Sequence, residues 1–124
     1  MFVNENAFCE YLSQQKIDYT FTEGNTLISV NMVRLKPTMS CIYLDDQYFA
    51  AAKYHQQLGF FSDALIIPRT SIQSISYQSK GLNYQIKAII KEKNQQIPLN
   101  FQVSKMSPVS WHRKNLNKLL EQIA

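Results

Sequence analysis

The stretch ALIIPRTSIQSISYQ, from Ala64 to Gln78, decides the fold. Its apolar run ends at Pro68, and the isoleucines that follow, Ile72 and Ile75, stand three residues apart. Strand alternation sets inward residues two apart, and a sustained helix would carry the stripe onward in steps of three and four. Neither pattern holds. A turn over 68–70 followed by an irregular corner shifts the inward parity by one, which leaves two inward isoleucines at this spacing. From there Tyr77 continues inward while Ser74 and Ser76 face out. The stretch predicts a sheet corner in a small β-barrel.

Working outward, Lys80-Gly81 turns the chain, and LNYQIKAII places Leu82, Tyr84, Ile86, Ala88 and Ile90 on one side. KNQQ turns it again, and IPLNFQV sets Ile97, Leu99, Phe101 and Val103 on one face. The period then changes. Ser107 reads as an N-cap with Pro108 at the first helical position, and Val109, Leu116, Leu119, Leu120 and Ile123 form a helical stripe. Upstream of the corner, QYFAAAKYH alternates Tyr48, Ala50, Ala52 and Tyr54 against Phe49, Ala51, Lys53 and His55, and Asp45-Asp46 joins it to MSCIYL as a hairpin. QQLGFFSD reads as a loop. TLISVNMV and the alternation of Ile17, Tyr19 and Phe21 predict another hairpin over 17–33, turning at Gly24-Asn25. At the start, Asn4 is a plausible N-cap for a short helix bearing Phe8, Tyr11, Leu12 and Gln15.

A chain of 124 residues suits one domain with a core that needs no staples. Cys9 and Cys41, each beside apolar neighbours, read as buried free thiols, which suits a reducing compartment. MFVNENAFCEYL lacks the basic start and unbroken apolar run of a secretory leader, and no run approaches the length of a membrane span, so a cytoplasmic location is expected. Charge is polarised along the chain. Residues 1–68 carry four basic residues against seven acids, a net of −3, and residues 69–124 carry nine against two, a net of +7. A basic half suits an acidic partner, or it keeps exposed strands soluble.

The inventory for catalysis is thin. His55 and His112 have no local carboxylate or cysteine at ligand spacing, three glycines build no phosphate-cradling loop, and Asp45-Asp46 is a turn signal first. No catalytic residue, cofactor or metal is expected. Two surface features remain. In VRLKP, Arg34 and Lys36 are candidate phosphate-binding residues. In the last helix, Arg113 and Lys114 follow His112 in the first turns, where the helix dipole opposes cations. With Trp111, and with Phe60 and Phe61 of GFFSD, they are the candidate partner-binding residues. Nucleic acid is not favoured, because aromatics do not interleave with the basic residues on a strand face.

IYLDDQYFAAAK (Ile42 to Lys53), IIPRTSIQSISYQ (Ile66 to Gln78), YQIKAIIKE, IPLNFQV and PVSWHRKNLNKLLEQI follow one another in an order that resembles the bacterial pleckstrin-homology-like domains. The resemblance covers residues 26–124 and leaves 1–25 as an N-terminal helix and strand extension. It implies a mostly β, α+β fold: about seven antiparallel strands in two near-orthogonal sheets, closed by the C-terminal helix. It further implies a binding module without catalysis. Lipid-binding members of the wider superfamily carry basic residues in the first inter-strand loop, where Arg34 and Lys36 fall, and in the next strand, where MSCIYL supplies none. Recognition of a protein or peptide is therefore the leading expectation. An anionic membrane or phosphate is the alternative, and a secretion-chaperone-like homodimer, suggested by the N-terminal helix and hairpin, is the third.

Overall fold

Seven antiparallel strands make one continuous sheet with a helix at each end of the chain. The computed structural model describes residues 3–16, 18–33 and 36–123, apart from the side chains of residues 32, 33 and 36. Helix α1 spans Glu5–Gln15, and the strands are β1 (Thr26–Val33), β2 (Lys36–Leu44), β3 (Tyr48–His55), β4 (Phe60–Pro68), β5 (Ile72–Lys80), β6 (Asn83–Glu92) and β7 (Gln95–Ser104), followed by helix α2 (Ser110–Ile123). Their order across the sheet is β4-β3-β2-β1-β7-β6-β5. Two four- and three-stranded meanders thus meet where β1 lies beside β7, and β4 and β5, joined in sequence, are the two outer edges.

The corner read from ALIIPRTSIQSISYQ is present. Pro68 ends β4, where its missing N–H falls on an edge strand, and a 3-10 turn over Arg69–Ser71 redirects the chain. The β5–β6 register then slips between Ile72 and Ser74, so that Ile72 and Ile75 both pack toward the same core. At the far end of the meander, Lys93 and Asn94 both take positive φ, 48° and 64°, in a two-residue hairpin of the primed kind whose twist matches that of the strands.

The alternation of β1–β3 serves two cores, one on each face of the sheet. Ile28, Cys41, Tyr43, Ala50, Ala52 and Tyr54 join Phe8, Cys9 and Leu12 of α1 and Phe21 on the outer face. Leu27, Ile42, Leu44, Phe49 and Ala51 join Ile86, Phe101 and Val103 and the α2 residues Leu116, Leu119 and Leu120 on the inner face. A fully buried Leu, Ile or Phe contributes roughly 2 kcal/mol relative to exposure, and β3 feeds both layers, with Phe49 and Ala51 in one and Ala50, Ala52 and Tyr54 in the other. Helix α1 starts where the sequence places it, with Asn4 Oδ1 accepting from the Ala7 N–H at 3.0 Å.

Four expectations need correction. Residues 18–25 form no strand: β1 already has β2 on one side and β7 on the other, so it offers no edge for a hairpin partner. The segment instead lies over the outer face and satisfies its backbone on side chains. The Phe21 N–H donates to Ser13 Oγ, the Thr22 N–H to the Tyr43 hydroxyl and the Gly24 N–H to Glu5 Oε2, at 3.2, 3.2 and 2.9 Å. The alternation of Tyr19 and Phe21 reports aromatic packing, with their rings 5.0 Å apart and each edge-on to a tyrosine of the sheet. GFFSD is strand rather than loop from Phe60 onward. Leu82 is an exposed turn residue rather than an inward one. Helix α2 begins at Ser110, and Ser107 closes a short turn onto the Val109 N–H in place of capping the helix.

Asp45 ties the 18–25 segment to the β2–β3 turn. Its Oδ1 accepts from the main-chain N–H groups of Gln47 and Tyr48 at 2.8 and 2.7 Å, and its Oδ2 accepts from the Tyr19 and Tyr43 hydroxyls at 2.5 and 2.8 Å. Burial raises the carboxyl's pKa, but these donors outweigh it, and the net displacement is downward. A depressed carboxylate stabilises the fold above its ordinary range, and that contribution is lost as pH falls through the native value. We expect Asp45→Asn to cost about 2 kcal/mol at pH 7 in urea unfolding. The difference from wild type should narrow as pH drops below about 4.

Candidate functional site

The seam between β1 and β7 is where the two meanders join, and main-chain pairing there is nearly absent: Ser29 opposite Val103 is the ladder contact. Side chains complete it. On one flank Asn31 Nδ2 donates to the Asn100 carbonyl at 3.2 Å, and Asn31 Oδ1 accepts from the Gln102 N–H at 3.1 Å. On the other flank the imidazole of His112 bridges the strands, accepting from the Ile28 N–H through Nδ1 at 2.9 Å and facing the Ser104 carbonyl through Nε2, also at 2.9 Å. An acceptor role at Nδ1 and a carbonyl at Nε2 define the neutral imidazole protonated on Nε2.

One turn further along α2, Asn115 Nδ2 donates to the Thr26 carbonyl and to Glu5 Oε2, both at 3.0 Å. Glu5 is buried, and its second donor is the Gly24 N–H. Helix α2, strand β1, the 18–25 segment and α1 are therefore joined through one polar cluster inside the protein. Each member has a partner, which is what makes burial of such groups tolerable.

This arrangement answers why His112 stands in the first turn of a helix, where a cation would be disfavoured. It is not part of a basic face. Burial lowers its pKa, and the bond to the Ser104 carbonyl offsets that only in part, so the ring is held neutral. His112 and Asn115 fall on the same stripe as Leu116, Leu119, Leu120 and Ile123, at spacings of three and four. A polar residue on an apolar stripe is the sequence signal for a buried hydrogen-bonding group.

The candidate partner-binding residues separate into two groups. Phe61 lies beneath α1, its ring 5.2 Å from Phe8, 5.6 Å from Tyr11 and 4.8 Å from Tyr54. Trp111 is half-buried, and its Nε1 donates to the Val3 carbonyl at 3.3 Å, fastening the start of the chain to α2. The rings of both are occupied within the chain. Phe60 is 45% exposed and stacks on His55, with the rings 4.3 Å apart. Arg113 donates to the Ser107 carbonyl at 2.8 Å and Lys114 is exposed. Of the phosphate-binding candidates, Arg34 and the side chain of Lys36 lie outside the described residues. Close to them in sequence, Pro37, Thr38 and Met39 border an open depression of about 450 Å³ with Lys53, Tyr54, His55 and Leu58 across it.

Both cysteines are buried free thiols. Burial, with the Glu5 carboxylate second, pushes the Cys9 thiol up to about 12, and burial pushes Cys41 up as well. Neither carries an appreciable thiolate fraction at neutral pH. Among the described residues no group of His, Cys, Asp and Glu is gathered as metal ligands, and no helix is long and apolar enough to cross a membrane.

No protein-family model matches the chain, and no curated protein matches it. Among solved structures, its fold is similar to that of the hSac2 domain from the human phosphoinositide phosphatase Sac2. The TM-score is 0.59 at 10% identity, with 98% of this chain and 82% of that chain covered. Identity that low makes the likeness one of fold.

Two measurements test the internal assignments. His112→Ala leaves the Ile28 N–H and Ser104 carbonyl without their partner, at an expected cost of about 3 kcal/mol in chemical denaturation. Because the native imidazole is held below its ordinary value, the wild type should be fully stabilised above about pH 6.5 and lose stability as pH falls through the native value, with the variant's profile flatter there. Phe61→Ser should cost about 3 kcal/mol and open α1 to proteolysis, whereas Phe60→Ser should change stability by less than about 1 kcal/mol.

Proposed function

We propose that this chain is a non-catalytic binding module of pleckstrin-homology-like architecture whose partner is a protein or peptide. In that architecture β1–β4 and β5–β7 are two near-orthogonal sheets and α2 closes the open end between them. Support for the closure comes from the β1–β7 seam, where a single ladder pair is flanked by side chains that complete the main-chain bonding. That is what remains when neighbouring strands diverge.

The observation that carries the functional reading is the uneven cover of the sheet. Helix α1 and the 18–25 segment lie over the outer face of β1–β4. The outward positions of β5–β7 have no comparable layer, and Ser74, Ser76, Gln78, Lys87, Lys91, Gln96, Asn100 and Gln102 are exposed there. The ionisable groups drawn inside, Glu5, Asp45 and His112, are each bonded to main chain or to phenols, in positions that hold the fold. An exposed sheet half, beside an interior whose carboxylates and imidazole are held in structural hydrogen bonds, supports the reading of a recognition domain.

The alternative, an anionic membrane or phosphate ligand, draws on the depression beside Pro37–Met39 with Lys53 on its wall, and on the phosphoinositide phosphatase to which the similar hSac2 domain belongs. Capture from lysate combined with vesicle flotation separates the two. A photo-reactive cross-linker at Gln78 should yield a protein adduct, one at Glu10 on α1 should not, and neither neutral nor anionic vesicles should carry the protein upward. Salt-sensitive flotation with anionic vesicles, abolished by Arg34→Ala with Lys36→Ala, would replace this reading with the membrane one.

A further inference from the structure

The two edges of the sheet differ in how they are defended. Strand β4 carries the devices that discourage pairing with another chain: a register shift between Ala51 and Lys53 on its partner, Asp63 at a φ of 56° with Lys53 3.7 Å away, a terminal Pro68, and α1 packed over Phe61. Strand β5 has none of these along most of its length. Its register with β6 is regular from Ser74 to Lys80, it has no proline, and its first charge is Lys80 at the very end. Among the described residues β5 pairs with β6 alone, so half of its main-chain N–H and C=O groups point at solvent.

The side chains beside this edge divide by face. On the inner side Ile72 and Ile75 are half-buried and Tyr77 is 39% exposed, an apolar margin. On the outer side stand Ser74, Ser76, Gln78 and Lys80, with Lys87 directly behind Ser76 in the ladder and Lys91 further along β6. Neither β5 nor any outward-facing position of β6 and β7 bears an acid, and Lys80, Lys87 and Lys91 have no ion-pair partner among the described residues. Strands lie about 4.8 Å apart, so the Lys87 side chain can pass over the short Ser76 toward a strand added to β5. A second copy of this chain would bring like charges to that face.

We propose that the open edge of β5 is the recognition site and takes an extended segment of a partner protein in which acidic and apolar side chains alternate. Its main chain completes the edge, its apolar side chains rest on Ile75 and Tyr77, and its acids meet Lys80 and Lys87. This rests on the reading of the chain as a protein-binding module.

The test uses the full chain and a fluorescein-labelled peptide matched to the 9 residues of β5, alternating glutamate and valine. Fluorescence anisotropy should report saturable binding, and hydrogen exchange should slow at the amides of Ser74 to Lys80. The same peptide N-methylated at alternate amides should not bind. Lys80→Glu with Lys87→Glu, both at exposed positions, should weaken binding about tenfold or more and admit a lysine–valine peptide instead. Absence of glutamate–valine binding, protection elsewhere, or indifference to N-methylation would overturn this site. The module reading itself would fall only if the lysate capture at Gln78 also returned no protein. Protection of β5 that grows with protein concentration in the absence of peptide would give the edge to a second copy and overturn the acidic segment.

Discussion

The structure depends on a gap in its own hydrogen bonding. Strands β1 and β7 share one main-chain ladder pair among the described residues, and the groups they leave unpaired could not remain buried without partners. Helix α2 supplies them: His112 takes the Ile28 N–H and the Ser104 carbonyl, and Asn115 takes the Thr26 carbonyl. These bonds fix the helix in rotation and height. That in turn sets Leu116, Leu119 and Leu120 over Phe49, Ile86 and Phe101 and seals the inner core. Apolar contact alone would tolerate a helix sliding along its groove, whereas a bridging imidazole does not.

The same cluster reaches the N-terminus. Through Glu5, Asn115 is joined to α1 and to Gly24, so α1 and the 18–25 segment are bound to the strands they cover rather than appended to them. Asp45 does the corresponding work at the other end of that segment, collecting Tyr19 and Tyr43 beside the β2–β3 turn. The result is an asymmetric sheet. Strands β1–β3 contribute buried residues to both faces, which explains why β3 carries alanines at three successive positions between an aromatic-rich outer layer and a largely aliphatic inner one. The sheet's last three strands are buried on one face only, which leaves their other face and the β5 edge exposed.

Much of this was legible in the order of residues. Alternation is a local property, so the strands of both meanders, the Asp45-Asp46 turn and the corner after Pro68 could be read from spacing, and Asn4 from its type and place before a helical stripe. Local spacing also misled. Tyr19 and Phe21 alternate as a strand does, yet β1 has no edge left to offer them, and whether an edge is free is settled by strands distant in the chain. Phe60 and Phe61 are adjacent and alike in sequence. One is stacked at the surface on His55 and the other is covered by α1, because neighbouring residues of a strand face opposite ways and only one face receives the helix.

The sequence by itself determined the element types, the two periodicities and the polarised charge, because each is written in residues a few positions apart. Tertiary structure decided what pairs with what across 84 residues between Ile28 and His112, or 110 between Glu5 and Asn115. It thereby decided that a histidine beside two cations is a neutral brace rather than part of a binding face. It also decided that β5, unguarded by charge or proline, is left open at the rim. The reason is common to both: a hydrogen-bond donor or a strand edge is satisfied by whatever the fold brings near, and nothing within a few residues of it says what that will be.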